Sequence, residues 1–323
     1  MTSVCIVGAG SIGGVIGGRL AATGVPVSAL ARGRTLESLR ANGWRLRTGG
    51  EVLTAPVASA GSAAELGRHD VVVLTVKAHA LPALAPALTP LLGPDTVVVA
   101  ALNGVPWWFF DGFGGQYEGL RLRAVDPDGA IAAAIPTRRV IGCVVHMSAS
   151  TPEPGFTDHR AGDGLILGSP LGADVAPIAG LLSKAGFTVT VSPQVQKDIW
   201  YKLWGNMTMN PISALTFATA DRILDDELVA GFAHAVMGEA AAIGARIGCA
   251  ITQSAADRSL VTRKLGAFKT SMLQDAEAGR PLELDALVTV VREIGQAVGV
   301  PTPNTDALLG LTRLRFPGHS HAT

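Results

Sequence analysis

A glycine-rich turn between an apolar run and a helix-like segment is the feature that most constrains how this chain can fold. The apolar run is Val4–Val7, and the turn that follows it reads Gly8-Ala9-Gly10-Ser11-Ile12-Gly13. Gly8 permits a tight turn, Gly10 lets a pyrophosphate approach the backbone, and Gly13 lets helix and strand pack closely. The free N–H groups at the start of such a helix also attract phosphate. A Gly-x-Gly-x-x-Gly motif alone is a weak signal, but between a strand and a helix it predicts a dinucleotide-binding unit.

Short runs rich in β-branched residues alternate with helix-like segments over the first half of the chain. Strands are predicted at Val4–Val7, Pro26–Leu30, Val71–Val76, Thr96–Ala101, Arg139–Ser148, Leu165–Gly168 and Thr188–Ser192. Helices are predicted at Ile12–Ala22, Thr35–Asn42, Ala80–Leu92 and Asp174–Ala185. This alternation is typical of a doubly wound parallel sheet of the Rossmann type.

The second half of the chain has helical periodicity almost throughout. Helices are predicted at Gln194–Leu215 (bent or interrupted by Pro211), Asp226–Ile247, Gln253–Gln274, Leu284–Val298 and Thr305–Arg313. The predicted fold class is therefore α/β, with an N-terminal doubly wound parallel sheet and a C-terminal all-α domain. We expect residues 1–193 to bind the dinucleotide and residues 194–323 to form the helical substrate and catalytic domain. The tail Phe316–Thr323 is expected to be frayed, with His319 and His321 at the surface rather than on a metal ion.

Composition excludes several classes of protein. The chain has 323 residues, 26 Lys+Arg against 26 Asp+Glu, and 48% hydrophobic residues. This apolar fraction argues against disorder, and the balanced charge gives no support to a nucleic-acid or membrane-surface partner. The three cysteines, Cys5, Cys143 and Cys249, form no C-x-x-C pair, so we predict reduced, mostly buried thiols and no metal site. No basic leader precedes the first apolar run and no unbroken apolar segment has membrane-spanning length, so a soluble, cytoplasmic protein is expected.

The end of the second predicted strand indicates which dinucleotide is bound. NAD sites place an acidic residue near this point to bind the ribose hydroxyls. Here the segment Ser28–Arg34 contains Arg32 and Arg34 but no acid. A guanidinium can pair with a 2′-phosphate, so NADP(H) is the predicted cofactor. The alternative, that Arg32 is an ordinary surface charge, stays open.

A polar stripe runs along the helix predicted at Gln194–Leu215. Lys202, Asn206 and Asn210 are spaced four residues apart, which puts an amine and two amides on one helical face. Such a stripe either faces water or lines a site. The Asn-Pro step at Asn210 favours a site, because a buried helix break exposes backbone groups that need partners.

A cluster of aromatic residues fits neither the strand nor the helix pattern. The segment Trp107–Gly115 contains five aromatic residues, in a chain that is only 5% aromatic. It is interpreted either as a loop that folds onto the sheet edge or as a cap over a ligand site. The second interpretation follows from the segment's position after a predicted strand, where ligands bind in such sheets.

Taken together, these motifs resemble the ketopantoate reductase (2-dehydropantoate 2-reductase) family. The resemblance runs along nearly the whole chain, and its most specific parts are the Lys/Asn/Asn-Pro helix and the stretch from Ser271 to Glu283. The matching pieces, in order, are Gly8-x-Gly10-x-x-Gly13, Val76-Lys77-Ala78, Leu102-Asn103-Gly104, Lys202-x3-Asn206-x3-Asn210-Pro211, Ser271-Met272-Leu273-Gln274-Asp275 and Glu283-x-Asp285.

The resemblance implies reduction of 2-dehydropantoate to pantoate by NADPH, in pantothenate and coenzyme A biosynthesis. It assigns Lys202 as the proton donor and Glu283 as an acid near both the nicotinamide and the substrate hydroxyl. It also implies that Lys77 lies beside the cofactor and that Asn103 touches both cofactor and substrate. The remaining substrate-binding residues that it implies are Asn206, Asn210 and Ser271.

The chain departs from the family pattern in two places. Some members carry a further substrate-binding asparagine about ten residues beyond the Asn-Pro step, where this chain reads Ala218-Thr219-Ala220-Asp221. The segment from Trp107 to Pro136 is also longer than in compact members. Two alternative functions therefore stay open: a related NADP-dependent 2-oxo acid or β-hydroxyacid dehydrogenase, or a non-catalytic NADP-binding regulatory protein. The oligomeric state is open as well, with a homodimer as the working hypothesis.

Overall fold

The computed structural model describes residues 1–317, which form two compact units. Residues 318–323, and with them the predictions for His319 and His321, lie outside the described residues. The first unit contains Met1–Leu102, Asp111–Gly114 and Gly129–Val195. The second contains Asn103–Phe110, Gly115–Asp128 and the chain from Gln196 onward. The chain thus passes between the units several times, whereas the sequence suggested one division at residue 193.

A ten-stranded mixed sheet is the framework of the first unit. Its strands are β1 (Val4–Val7), β2 (Val27–Leu30), β3 (Trp44–Thr48), β4 (Glu51–Ala55), β5 (Ala58–Ala60), β6 (His69–Leu74), β7 (Leu92–Ala100), β8 (Val140–Glu153), β9 (Phe156–Gly168) and β10 (Thr188–Val191). The strand order is β4-β3-β9-β8-β7-β6-β1-β2-β5, with β10 paired to β9. All neighbours are parallel except the β3–β4 and β8–β9 hairpins. The predicted fold class is confirmed, but the sheet is not wholly parallel.

Helices connect these strands. They are α1 (Ser11–Ala22), α2 (Gly33–Asn42), α3 (Ala63–Leu66), α4 (Leu81–Leu84), α5 (Ala130–Ala134) and α6 (Ala176–Lys184). The single helix predicted at Ala80–Leu92 is wrong, because only the short α4 is α-helical there and 3₁₀ turns flank it. Prolines at 82, 86 and 90 remove the N–H donors that a continuous α-helix would need.

Helix α1 packs tightly against β3 and β9 because the face that it turns toward them carries the buried glycines Gly14 and Gly17. A β-carbon on Gly14 would lie 1.9 Å from Thr157 Oγ1, and one on Gly17 would lie 2.6 Å from the Trp44 ring. The abundance of glycine in this helix therefore has a packing reason: β3 and β9 approach it more closely than any side chain would allow.

The second unit is helical. Its helices are α7 (Val195–Thr216), α8 (Ala220–Asp225), α9 (Glu227–Arg246), α10 (Ala255–Arg263), α11 (Ser271–Glu277), α12 (Val290–Val298) and α13 (Pro303–Arg315). A π-helical turn, Asp285–Thr289, leads into α12. The single helix predicted at Gln253–Gln274 is wrong. The chain breaks after Arg263, and Thr270 starts α11 by accepting a hydrogen bond from the Leu273 N–H.

The core of the helical unit forms between α7 and α9. The indoles of Trp200 and Trp204 are buried and donate hydrogen bonds to the carbonyl oxygens of Ala240 and Met237. Helix α7 continues through Pro211 rather than stopping there. Among the described helices, α9 alone has the length and apolar composition of a membrane span, a property it shares with core helices of soluble proteins. Its contacts with α8, α10, α12 and α13 are those of a core helix.

Candidate functional site

The glycine-rich turn joins β1 to α1 with little space to spare. Gly8 has φ +98°, and a β-carbon on it would lie 2.7 Å from Val76 Cγ1. On Gly13 a β-carbon would lie 2.2 Å from the Gly8 carbonyl oxygen. The Thr75 hydroxyl donates to that same oxygen at 2.7 Å. Two glycines and one threonine hydroxyl therefore fix the direction in which the turn leaves the sheet.

The N-terminus of α1 has the properties of an anion site. Its first turn contains no acidic residue, and no side chain caps it. A β-carbon on Gly10 would meet no heavy atom within 4 Å, so the backbone there is open to a ligand, whereas Ala9 before it is buried. The amides of Ser11 and Ile12 begin the helix at this point. These features fit the pyrophosphate of a dinucleotide.

Two basic residues follow β2 and β6, the strands on either side of β1. Arg32 is exposed and lies at the start of α2, whose first turn contains no acid. Lys77 lies three residues after β6, next to the Val76 that contacts Gly8. Because β2, β1 and β6 are parallel neighbours, their carboxyl ends lie at one sheet edge. The predicted cofactor residues of the first unit thus share that edge.

An amine held by an amide is the central feature of the helical unit. Lys202 Nζ donates a hydrogen bond to Asn103 Oδ1 at 2.9 Å, and the contact is partly buried. Asn103 does not belong to the sheet, although it comes shortly after β7. It groups with the helices, where it meets a residue 99 positions later in the chain.

The turn after Asn103 packs on the π-helical segment. The Val105 N–H donates to the Ala286 carbonyl oxygen at 2.9 Å. Gly104 has φ +82°, and a β-carbon on it would lie 2.2 Å from that same oxygen. Glu283 comes three residues before Ala286 and is only 5% exposed. The close approach at Gly104 therefore brings Asn103 to the part of the chain that carries Glu283.

The remaining predicted residues lie on α7 and α11. Asn206 and Asn210 follow Lys202 on successive turns of α7, and Asn210 is 5% exposed. One turn beyond Asn210, the Ser213 hydroxyl bonds to the Thr270 hydroxyl at 2.5 Å. Thr270 caps α11, so Ser271, the exposed first residue of that helix, is held near the C-terminal half of α7.

The predicted site residues therefore form two sets. The first unit holds the glycine-rich turn, Arg32 and Lys77, and the second unit holds Asn103, Lys202, Asn206, Asn210, Ser271 and Glu283. Thr75 and Thr270, whose hydroxyl contacts position the glycine-rich turn and Ser271, were not among the predicted site residues. Thr270 carried a readable signal, since a threonine just before a helix start is a typical N-cap. Thr75 carried none, because its contact is with a carbonyl 67 residues away.

The aromatic segment is divided between the two units, and its role as a cap over a ligand site stays a prediction. Trp107–Phe110 belongs to the helical unit and is buried, and the Phe109 ring lies 6.0 Å from that of Trp200 on α7. Asp111–Gly114 belongs to the first unit instead. The four aromatic residues Trp107–Phe110 thus form part of the helical core and connect the Asn103 turn to α7.

The thiols and the acids offer no further reactive centre. All three cysteines are free and buried, and burial raises the pKa of Cys5 and of Cys249 to about 12. Such thiols are not nucleophiles at neutral pH. Within residues 1–317 no group of three or more His, Cys, Asp or Glu side chains could hold a metal ion.

Comparison with known proteins identifies the family. The family model described as "Ketopantoate reductase PanE/ApbA" matches residues 4–172, and its C-terminal counterpart matches residues 194–315. The chain belongs to the ketopantoate reductase PanE/ApbA family. The resemblance inferred from the motifs is therefore confirmed.

Individual ketopantoate reductases agree over nearly the full length. A 2-dehydropantoate 2-reductase from Mesorhizobium japonicum is 46% identical over 314 residues, which covers 96% of each chain. A crystal structure from Ralstonia solanacearum MolK2, provisionally assigned as a ketopantoate reductase, is 57% identical with a TM-score of 0.95 and covers 99% of each chain. D-Mandelate dehydrogenase in a ternary structure with NADH has the same fold, with a TM-score of 0.82 at 19% identity over 97% of this chain and 98% of that chain.

Proposed function

We propose that this protein reduces 2-dehydropantoate to pantoate with NADPH. The observation that carries the proposal is the Lys202–Asn103 hydrogen bond, on the same helical face as Asn206 and Asn210, in a chain of this family. A regulatory protein that only binds a dinucleotide has no need for an amine held in this way.

The chemistry that we assign to the chain is proton donation to the ketone oxygen. NADPH, when bound, supplies the hydride to the ketone carbon. Negative charge then develops on the oxygen, and the ammonium of Lys202 stabilises that charge and delivers the proton. Asn103 accepts a hydrogen bond from Lys202 Nζ, and this contact orients the ammonium. Water returns the lost proton to Lys202.

The ends of the substrate are assigned to the residues around Lys202. Ser271 is proposed to donate to the substrate carboxylate, and the amides of Asn206 and Asn210 are proposed to bind its oxygen atoms. Glu283, which is nearly fully buried, is proposed to accept a hydrogen bond from the substrate hydroxyl. A substrate with a hydroxyl group gains this hydrogen bond, so the contact favours a hydroxy acid over an unsubstituted one.

Arg32 and the α1 N-terminus support the assignment of NADPH. We propose that the glycine-rich turn from Gly8 to Gly13 binds the pyrophosphate, and that Arg32 pairs with the 2′-phosphate because no acid competes for it in the first turn of α2. Lys77, Asn103 and Glu283 are proposed as the other cofactor contacts. The Arg32→Ala variant should raise the KM for NADPH and leave that for NADH nearly unchanged.

The roles of the two units, the localisation and the oligomeric state are proposed on the same basis. The sheet unit is proposed to bind the cofactor and the helical unit the substrate. A cytoplasmic homodimer is proposed as the form of the enzyme. A dimeric ketopantoate reductase from Staphylococcus aureus has the same fold, with a TM-score of 0.75 at 20% identity over 98% of this chain and 100% of that chain.

One assay tests the proposal. The purified protein is mixed with NADPH or NADH and with ketopantoate or other 2-oxo acids, and the loss of nicotinamide absorbance is followed. We expect the highest kcat/KM for NADPH with ketopantoate. A different preferred 2-oxo acid would make the protein a related dehydrogenase, and dinucleotide binding without turnover would make it a regulatory protein.

A further inference from the structure

The tip of the β8–β9 hairpin reaches the first residue of α1. The Thr151 hydroxyl lies 3.2 Å from the hydroxyl of Ser11, a contact between residues 140 positions apart. The register of the hairpin slips between Ser148 and Ala149 and again between Ser150 and Glu153, the interval that contains Thr151. Such irregularities re-aim side chains away from the regular alternation of a strand.

The hairpin is also held against neighbouring elements in the residues that follow Thr151. Thr157 on β9 packs into the space left by Gly14, where a β-carbon would lie 1.9 Å from its hydroxyl oxygen. Arg45 donates hydrogen bonds to the Pro154 carbonyl oxygen at 3.4 Å and to the Ser38 hydroxyl on α2 at 3.1 Å. The turn of the hairpin and the start of β9 are therefore fixed, and Thr151 lies three residues before Pro154 at that turn.

The chemistry at this point suits an anionic oxygen better than a second hydroxyl. Ser11 is the first residue of α1, whose open N-terminus fits a pyrophosphate and lacks any capping side chain. Thr151 is exposed, and its neighbour Ser150 has a buried hydroxyl oxygen with no hydrogen-bond partner in the described structure. Each hydroxyl has a single proton to donate, so in the pair only one can donate to the other. A phosphate oxygen beside both would accept from each, in charge-assisted bonds.

We propose that Thr151 is a further dinucleotide-binding residue, whose hydroxyl binds the cofactor pyrophosphate together with Ser11 at the α1 N-terminus. The inference rests on the proposed function, because it requires that a dinucleotide binds there. It adds a ligand from a hairpin that lies outside the glycine-rich motif. It also predicts that the contribution is the same for NADPH and NADH, since the two share the pyrophosphate.

The test is a fluorescence titration of the full-length protein with NADPH and with NADH. The variant is Thr151→Val, which keeps the shape of the side chain and removes the hydroxyl. Thr151→Ser restores the hydroxyl, and Thr190→Val, at an exposed threonine on β10, is the matched control. Thr151 is exposed, so the Tm should stay unchanged in all three variants.

We expect Thr151→Val to raise the Kd by about 5- to 20-fold for both dinucleotides, the scale of one hydrogen bond to a charged group. Thr151→Ser and Thr190→Val should bind as the wild type does. A Kd for Thr151→Val within about twofold of the wild type would overturn the inference while leaving the proposed function intact. Weaker binding of NADPH alone would also overturn it, because the contact would then be with the 2′-phosphate. A wild type that binds neither dinucleotide would overturn the proposed function and the inference together.

Discussion

Lys202 and Asn103 show what single residues reveal before a structure is known and what they do not. Residue type and spacing placed Lys202 on a polar helical face with Asn206 and Asn210. The partner that orients its amine lies 99 positions away, and no local pattern connects the two. The chemical character of this part of the site could therefore be predicted from the sequence, whereas its geometry depends on how the chain returns after β7.

At this scale, replacing Lys202 tests the proton donor. Lys202→Ala should lower kcat by about 10²–10⁴-fold, the usual contribution of one acid–base group. The Kd for NADPH should stay unchanged, because the glycine-rich turn does not depend on this amine. Lys197→Ala, at an exposed lysine on the same helix, is the control and should retain full activity. Steady-state kinetics and NADPH titration measure both effects. Activity of Lys202→Ala within a few-fold of the wild type would assign the proton to another group.

Gly104 tests the packing that holds Asn103. Gly104→Ala would place a methyl group 2.2 Å from the Ala286 carbonyl oxygen, at φ +82°. We expect a loss of about 3 kcal/mol or more in the free energy of unfolding, from overpacking added to left-handed strain. Gly119→Ala is the matched control: its φ is +71°, but a β-carbon there meets no heavy atom within 4 Å. It should lose only about 1–2 kcal/mol. Urea denaturation measures both, and equal losses would show that the Ala286 contact adds nothing.

At the scale of elements, the strands and helices that could be predicted are those that a local residue pattern specifies. The buried parallel strands were predicted close to their true positions because β-branched runs mark them. The β3–β4 hairpin was missed, although Gly49-Gly50 at its turn is a typical hairpin signal. The helix predicted at Ala80–Leu92 failed because its apolar spacing was given more weight than its prolines. The long β8–β9 hairpin could be predicted only in part, since its distal half is stabilised by contacts with α1 and α2 rather than by its own pattern.

Substitutions at two glycines at and just before α1 distinguish an effect on packing from an effect on dinucleotide binding. Gly14→Ala should destabilise the protein by about 2 kcal/mol or more, because its β-carbon would overlap Thr157. Gly10→Ala should leave the stability almost unchanged, because a β-carbon there has open space. It should nevertheless raise the Kd for NADPH, since the methyl group would occupy the approach to the backbone amides. Thermal denaturation and NADPH titration of both variants check this. Loss of stability without loss of binding in Gly10→Ala would contradict it.

At the scale of the whole molecule, the family could be predicted because its motifs occur in the right order along nearly the entire chain. The grouping of the residues could not. Asn103 and the aromatic residues up to Phe110 belong with the helices, although they directly follow a strand of the sheet. Burial of Trp107–Phe110 against α7 gives the physical reason, because this apolar surface finds its partners among the helices.

The choice of substrate is a property of the whole enzyme. Ketopantoate has a carboxylate at one end and a hydroxyl at the other, whereas 2-oxoisovalerate lacks the hydroxymethyl group. Glu283 is 5% exposed, and a substrate that cannot donate to it forms one hydrogen bond fewer in the site. A site built to bond a hydroxyl discriminates strongly against the analogue without one. We therefore expect kcat/KM for 2-oxoisovalerate to be at least about 100-fold lower than for ketopantoate.

Removing the Glu283 carboxylate should reduce the difference in kcat/KM between ketopantoate and 2-oxoisovalerate. Glu283→Ala should lower kcat/KM for ketopantoate much more than for 2-oxoisovalerate, because only ketopantoate loses a bond. Glu227→Ala, at an exposed carboxylate in the first turn of α9, is the control and should leave both values unchanged. Stopped-flow or steady-state measurements with saturating NADPH give kcat/KM of each variant relative to the wild type, for each of the two acids. If the wild type used both acids equally well, Glu283 would have no role in hydroxyl recognition, and the enzyme would be a broader 2-oxo acid reductase.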